Sequence, residues 1–165
     1  MNHNRAFHIV ISRLMKPYHI DTAKAEQKGH DVYIITLDDE TPIFLMGNQP
    51  GYLNIMSPFI SLEPDVVPPA NVLLSLLSMN NWNARHPVFT LAIDTRKKKV
   101  TLSSRQPLIE LDEGETHKLV STFIETVSTL KVWIHQQMTS STGAKKMADD
   151  TVPPRFPAMN NDTAS

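Results

Sequence analysis

No cysteine occurs anywhere in this chain of 165 residues. That absence excludes a disulfide framework, a thiolate nucleophile and any Cys-ligated metal, and it fits a reducing compartment, so a cytoplasmic setting is expected. Glycine is also scarce. The five present form no GxGxxG, no GxxxxGKS/T and no GxSxG pattern, so neither a phosphate cradle nor a strained nucleophile turn is expected. Excess charge of one sign is missing as well. Sixteen Lys plus Arg against 17 Asp plus Glu leave a net charge of −1, with no field to steer nucleic acid or an acidic membrane. No run approaches the ~18 to 20 apolar residues of a bilayer span, and Met1 to Arg13 mix His, Asn and Arg into their apolar positions. Neither a membrane span nor a signal peptide is expected.

Candidate chemistry is equally thin. His3, His8, His19, His30, His86, His117 and His135 never fall in HxH or HxxxH spacing, so no metal site is expected. Asp38-Asp39-Glu40 reads as a solvated turn rather than a pair of catalytic acids, and Arg96-Lys97-Lys98-Lys99 reads as a basic turn without the aromatic platform that nucleic acid needs. No catalytic residue, no metal and no cofactor are expected. What remains is 41% hydrophobic residues in a length that buries one core, and the work of such a chain is to bind another protein.

The apolar pattern divides the chain into alternating helices and strands. Phe7, Val10, Ile11 and Leu14 mark one face of a helix over about Asn4 to Met15, ended by Pro17. Val32 to Leu37, Ile43 to Met46 and Tyr52 to Met56 are β-branched and aromatic runs separated by Asp38 to Thr41 and Gly47 to Gly51, which predicts a three-stranded meander. Pro68-Pro69 opens a second helix over Ala70 to Met79, and Val88 to Ile93 with Val100 to Ser103 forms a hairpin turned at Asp94 to Lys98. Asp112 followed by Glu115 is a capping box for a last helix with the stripe Leu119, Phe123, Val127, Leu130, Ile134. The fold class is α+β, a twisted antiparallel sheet with three helices in the order α-βββ-α-ββ-α. Residues 1–138 form the domain. From Thr139 to Ser165 the composition has no periodicity and predicts a disordered tail.

Two surfaces stand out. With turns centred at Asp39-Glu40 and at Gln49, Val32, Ile34, Ile43, Leu45, Leu53 and Ile55 share one aliphatic face suited to packing under helices. The other face carries Tyr33, Ile35, Leu37, Phe44, Met46, Tyr52, Asn54 and Met56, an aromatic and methionine mixture with the composition of an adaptable partner-binding surface. The alternative is that a further helix of the same chain covers it. Tyr33, Ile35, Phe44, Met46, Tyr52, Asn54 and Met56 are therefore the candidate partner-binding residues. In the second helix Val72, Leu73, Leu74, Leu76, Leu77 and Met79 wrap most of the circumference, more than one small sheet can cover. Val72, Leu73, Leu76, Leu77 and Met79 are the candidate dimer interface.

The element order and several short motifs resemble the Tir chaperone (CesT-like) family of type III secretion. Leu73-Leu74-Ser75-Leu76-Leu77-Ser78-Met79-Asn80 resembles that family's Leu-rich second helix ending in Asn. Leu91-Ala92-Ile93-Asp94 with Val100-Thr101-Leu102 resembles its Asp-turned hairpin, and Pro107-Leu108 with Leu111-Asp112-Glu113 resembles the approach to its last helix. The resemblance covers about Asn4 to Gln136. Asn81-Trp82-Asn83 departs from it and is more similar to the YbjN-type proteins of the same fold, whose members would be regulatory or general protein-binding proteins. The first resemblance implies a homodimer in the bacterial cytoplasm that binds the N-terminal segment of a secreted effector in extended form and keeps it soluble and export-competent. It implies no nucleotide, no nucleic-acid or membrane partner, and no bond made or broken.

Overall fold

The stripe Phe7, Val10, Ile11, Leu14 becomes the buried side of helix α1 (Arg5–Met15) in the computed structural model, which describes residues 5–20, 22, 27–63, 67–82 and 87–143. A 3₁₀ turn at Lys16–Tyr18, set by Pro17, ends that helix. Strands β1 (Val32–Thr36), β2 (Pro42–Met46) and β3 (Tyr52–Ser61) follow, then α2 (Ala70–Trp82), β4 (Phe89–Asp94), β5 (Lys99–Pro107) and α3 (Glu113–Gly143). The observed order is the expected one. Strand β3 runs five residues past the expected end because a bulge at Phe59, between the pairs Pro58↔Thr101 and Ile60↔Val100, lets the chain continue beyond Pro58.

All five strands are antiparallel, in the order β1-β2-β3-β5-β4. One face buries Ile43, Leu45, Leu53, Ile55, Phe89, Leu91, Val100 and Leu102, and the inward sides of all three helices join these in a single core. The aromatic rings of Phe89 and Phe123 meet edge to face at 5.4 Å, which locks α3 across the sheet. Asp112 caps α3 by accepting the N–H of Glu115 at 2.8 Å, and Leu119, Phe123, Val127, Leu130 and Ile134 are all buried, as their spacing implied. The helix continues to Gly143, past the expected boundary at Met138, and the rest of the expected tail lies outside the described residues.

The turn between β1 and β2 corrects the expected faces. The Leu37 N–H donates to the Thr41 carbonyl at 3.0 Å and the Glu40 N–H to the Leu37 carbonyl at 2.9 Å, so the loop contains three residues, Asp38, Asp39 and Glu40. Glu40 adopts the left-handed backbone (φ +62°) that such a loop requires at its last position. A centre at Asp39-Glu40 assumes an even loop. The real centre lies at Asp39, which pairs Tyr33 with Leu45 and Ile35 with Ile43 and exchanges the two faces of β1. Tyr33 and Ile35 thus face the core rather than a partner, while Val32 and Ile34 point to the open side, with Ile34 57% exposed. Tyr33 is held under α1, its hydroxyl hydrogen-bonded to buried His8 Nδ1 at 3.2 Å and its ring 5.9 Å from that of Phe7. At the next turn the expected centre, Gln49, is one residue short of the observed one, so the pairing shifts by two and the faces of β2 and β3 are as expected. Pro50 and Gly51 (φ +81°) occupy its centre, closed by the Tyr52 N–H to Gln49 carbonyl bond at 3.1 Å, a type II turn.

The same hairpin tip is tied to α3. Lys131 Nζ donates to Asp39 Oδ2 at 2.5 Å and to Thr41 Oγ1 at 2.6 Å, and the Thr41 N–H donates to Asp39 Oδ1 at 3.1 Å. The Lys131 hydrogen bond, followed by that of Thr41, holds the Asp39 carboxyl at about 2 against an ordinary 3.8.

Two predictions follow from this register and this tie. Ile35→Asp places an unpaired carboxylate in the core, at a cost of several kcal/mol, and should abolish cooperative melting, whereas Ile34→Asp should melt close to the parent by circular dichroism. The opposite ranking would restore the even turn. Because the folded pKa of Asp39 is depressed, its contribution is present above pH ~4 and is lost as pH falls from about 4 toward 2. Asp39→Asn should therefore lower stability at pH 7 by less than about 1 kcal/mol, the carboxylate being half exposed, with the difference from the parent shrinking as pH falls toward 2 in urea melts.

Candidate functional site

Alternation along each strand sends every second side chain away from the helices. On that open face the ladder aligns residues in rows across the sheet: Val32, Met46, Asn54 and Arg105 in one, and Ile34, Phe44, Met56, Ser103 and Thr90 in the next. None of these side chains belongs to the core cluster. Of the expected partner-binding residues, Phe44, Met46, Tyr52, Asn54 and Met56 lie here, half-buried against one another. Tyr33 and Ile35 do not, and Val32 and Ile34, which the even turn assigned to the core, take their places. The signal that could have found them is the acidic tripeptide itself, since Asp38-Asp39-Glu40 with hydrogen-bonding Asp39 suits an odd loop as well as an even one.

The face has two halves. Across β1 to β3 it is apolar, with Val32, Ile34, Phe44, Met46, Met56 and Pro58. Across β5 and β4 it is polar: Thr101 and Ser103 donate to the carbonyls of Ala92 and Thr90 at 3.3 Å each. Tyr52 lies at the boundary, and the Arg105 guanidinium sits over its ring, 3.8 Å from the centroid. Asn54 Nδ2 donates to Asn48 Oδ1 at 3.0 Å beside it.

The sheet's two edges differ. At β4 the Asn80 side chain acts as a short strand, its Nδ2 donating to the Leu91 carbonyl and its Oδ1 accepting the Leu91 N–H, both at 2.8 Å. That edge is closed by α2. At β1 the ladder bonds to β2 use Asp31, Leu37 and the alternate residues between them, so the N–H and C=O groups of Val32, Ile34 and Thr36 point away from β2. No described strand pairs with them.

Helix α2 divides its apolar residues between two sides. Val72, Leu76 and Met79, expected at a dimer interface, are buried in the protomer's own core and cannot be contact residues. Leu73 and Leu77 are only half-buried, and Leu74, outside the expected set, is 68% exposed. Leu74 and Leu77 lie on the outer side of α2, with Leu73 at its margin, packed in part against the core. A shallow depression along α3 is lined by Val132, Trp133 and Gln136. No three His, Asp or Glu side chains among the described residues are placed to hold a metal ion, and no described helix is long and apolar enough to cross a membrane.

Comparison with known proteins fits this geometry. No curated sequence matches the chain closely enough to count as a relative. Among solved structures, the fold is similar to a chain of the HopA1–SchA chaperone–effector complex, with a TM-score of 0.59 at 11% identity over 78% of this chain and 94% of that one. It is similar to a chain of the Yersinia pestis type III secretion chaperone SycH bound to a stable fragment of YscM2, with a TM-score of 0.58 at 13% identity over 75% and 98%. A chain of the Pseudomonas aeruginosa ExoT–SpcS complex matches at 0.52 and 16% identity over 84% and 96%. These likenesses establish a type III secretion chaperone fold. The family model of the Tir chaperone protein (CesT) family matches residues 18–131, well over half of the chain. Of the two families that the sequence resembles, this chain belongs to the Tir chaperone (CesT) family.

Proposed function

We propose that the chain is a type III secretion chaperone which, as a homodimer in the bacterial cytoplasm, holds the N-terminal segment of a secreted effector in extended form on the open sheet face and along the β1 edge. The observation that carries this reading is the coincidence, among the described residues, of an unpaired edge with an uncovered apolar half-face, both supplied by Val32 and Ile34. A segment added beside β1 gains main-chain hydrogen bonds, and its alternate side chains pack on Ile34, the outer end of the apolar row that continues through Phe44 and Met56. Binding orders a segment that cannot fold by itself, and the hydrogen bonds and apolar burial offset that entropy. No nucleotide, metal or bond-making group is needed. The YbjN-type reading, a general or regulatory binding protein, has only Asn81-Trp82-Asn83 in its favour, of which Asn83 lies outside the described residues.

The exposed Leu74, flanked by half-buried Leu73 and Leu77, supports a second copy of the chain as the partner of α2, since an apolar patch on a helix is removed from water by pairing with its own symmetry mate. Leu74→Glu should turn a concentration-independent dimer into a monomer in light scattering while leaving the melting curve cooperative. A parent protein that is monomeric at tens of micromolar would defeat the dimer.

The edge is tested by the backbone alone. The Ile34 N–H points outward, so Ile34→Pro should leave the β1–β2 ladder intact yet remove a donor from the client side. Pull-down of the client, identified by mass spectrometry from the native host, should drop at least tenfold for Ile34→Pro and remain for Ile34→Val. Equal capture by the two variants would remove β1 from the binding surface.

A further inference from the structure

The proposed client surface has a polar feature that apolar packing leaves unused. Arg105 is exposed on β5, its guanidinium carbon over the Tyr52 ring at 3.8 Å from the centroid, and it is joined in no ion pair with any described residue. Stacking occupies the face of the guanidinium and leaves the N–H groups around its rim directed outward, in the planar fork that fits a carboxylate. It also fixes the side chain in advance, so less rotamer entropy is lost when a partner arrives. The charged residues on the open side of β4 and β5 are Arg105, Lys99 and Asp94. Asp94 is engaged with its own turn, its Oδ1 accepting the N–H groups of Arg96 and Lys97 at 3.0 Å each. With the Asp94 carboxylate held by its own turn, Arg105 is left without an answering carboxylate among the described residues.

We propose that this face selects a client segment that crosses it from β1 toward β5, apolar where it covers Ile34, Phe44 and Met46 and carrying a carboxylate that pairs with Arg105. The proposal rests on the reading that clients occupy the open face. Row geometry sets the spacing: Arg105 lies three strands from Val32, and from the middle of the apolar half the distance is about 12 Å, or about four residues of extended chain. A neutral or basic residue at that point would cover the guanidinium without pairing it, so the site discriminates by exclusion as well as by attraction. Arg105 is a specificity group, and the apolar row is the anchor.

The test uses a random dodecapeptide library displayed on phage, selected in parallel on the immobilised full-length parent, Arg105→Gln and Phe44→Asp, each first shown to be folded by circular dichroism. The parent should enrich peptides with Asp or Glu about four residues from an apolar pair, several-fold above the input library. Arg105→Gln should still enrich apolar peptides, with the carboxylate excess reduced to library level. Absence of that excess on the parent, or its persistence on Arg105→Gln, would overturn the role of Arg105 while leaving the open-face reading intact. Enrichment that survives Phe44→Asp, or no enrichment on the parent, would overturn the open-face reading and the inference with it.

Discussion

Glu40 holds a left-handed backbone at the tip of the first hairpin, and the three-residue loop it closes decides which side of β1 each residue occupies. A residue other than glycine in that conformation costs about 1 kcal/mol or more, so something must hold it there. The neighbouring atoms do so: Asp39 accepts from Thr41, and Lys131 bonds both. The turn is thereby fastened to α3, whose own position is fixed by its buried stripe. The consequences run through the fold. With the odd loop, Tyr33 reaches His8 and Phe7 beneath α1, and Val32 and Ile34 are released to the open side. An even loop would strand the Tyr33 hydroxyl in solvent and bury two β-branched residues where Phe7 now packs against Gly47, a position at which any β-carbon would collide with the phenyl ring.

With the three described helices on one face, the described residues leave two hazards, a bare sheet face and the two edges of the sheet. The chain treats the two edges in opposite ways. At β4 a single amide side chain satisfies both main-chain groups of Leu91, so α2 closes that edge with one residue. At β1 no comparable device exists among the described residues, and the exposed side chains there are apolar rather than lysine or proline. An unprotected edge beside an apolar half-face would be an aggregation site in an ordinary domain. Under the function proposed above, that asymmetry is the surface on which an unfolded segment would be received.

Element order and type were readable in the sequence because they rest on local signals: the stripe of α3, the Asp112 cap, Pro17 after α1 and Pro50-Gly51 between β2 and β3. The faces of β2 and β3 were readable too, since the shift at their turn was two residues and the side-chain period is two. The faces of β1 were not. Its residues are apolar on both sides, so hydrophobicity carries no sign, and the parity of the loop depends on one left-handed residue that could equally have been Asp39 or Glu40. Helix α2 failed in a related way. A helix that is greasy all round announces two buried sides without saying which is which, and only packing shows that Val72, Leu76 and Met79 turn inward while Leu74 turns out and Leu73 sits at the margin of the core. The extension of β3 through Pro58 was hidden because a proline reads as a strand end unless a bulge absorbs it.

The two proposed binding surfaces are set apart by the strand order. Helix α2 lies over the β4 end, with its outer leucines on the helical side, whereas the open face lies on the other side and its free edge is β1, four strands away. At about 4.8 Å between strands, β1 and β4 are roughly 19 Å apart, so a second copy docked on α2 need not cover the client surface of either protomer. A dimer built this way presents two equivalent half-apolar faces. A client segment long enough to reach both would bind the second at a high effective concentration, and two weak, sequence-tolerant contacts would then hold an unfolded chain more firmly than either alone. Tolerance comes from the anchors, since Met46 and Met56 adapt to varied side chains, while a fixed cation such as Arg105 supplies the discrimination that such a surface otherwise lacks.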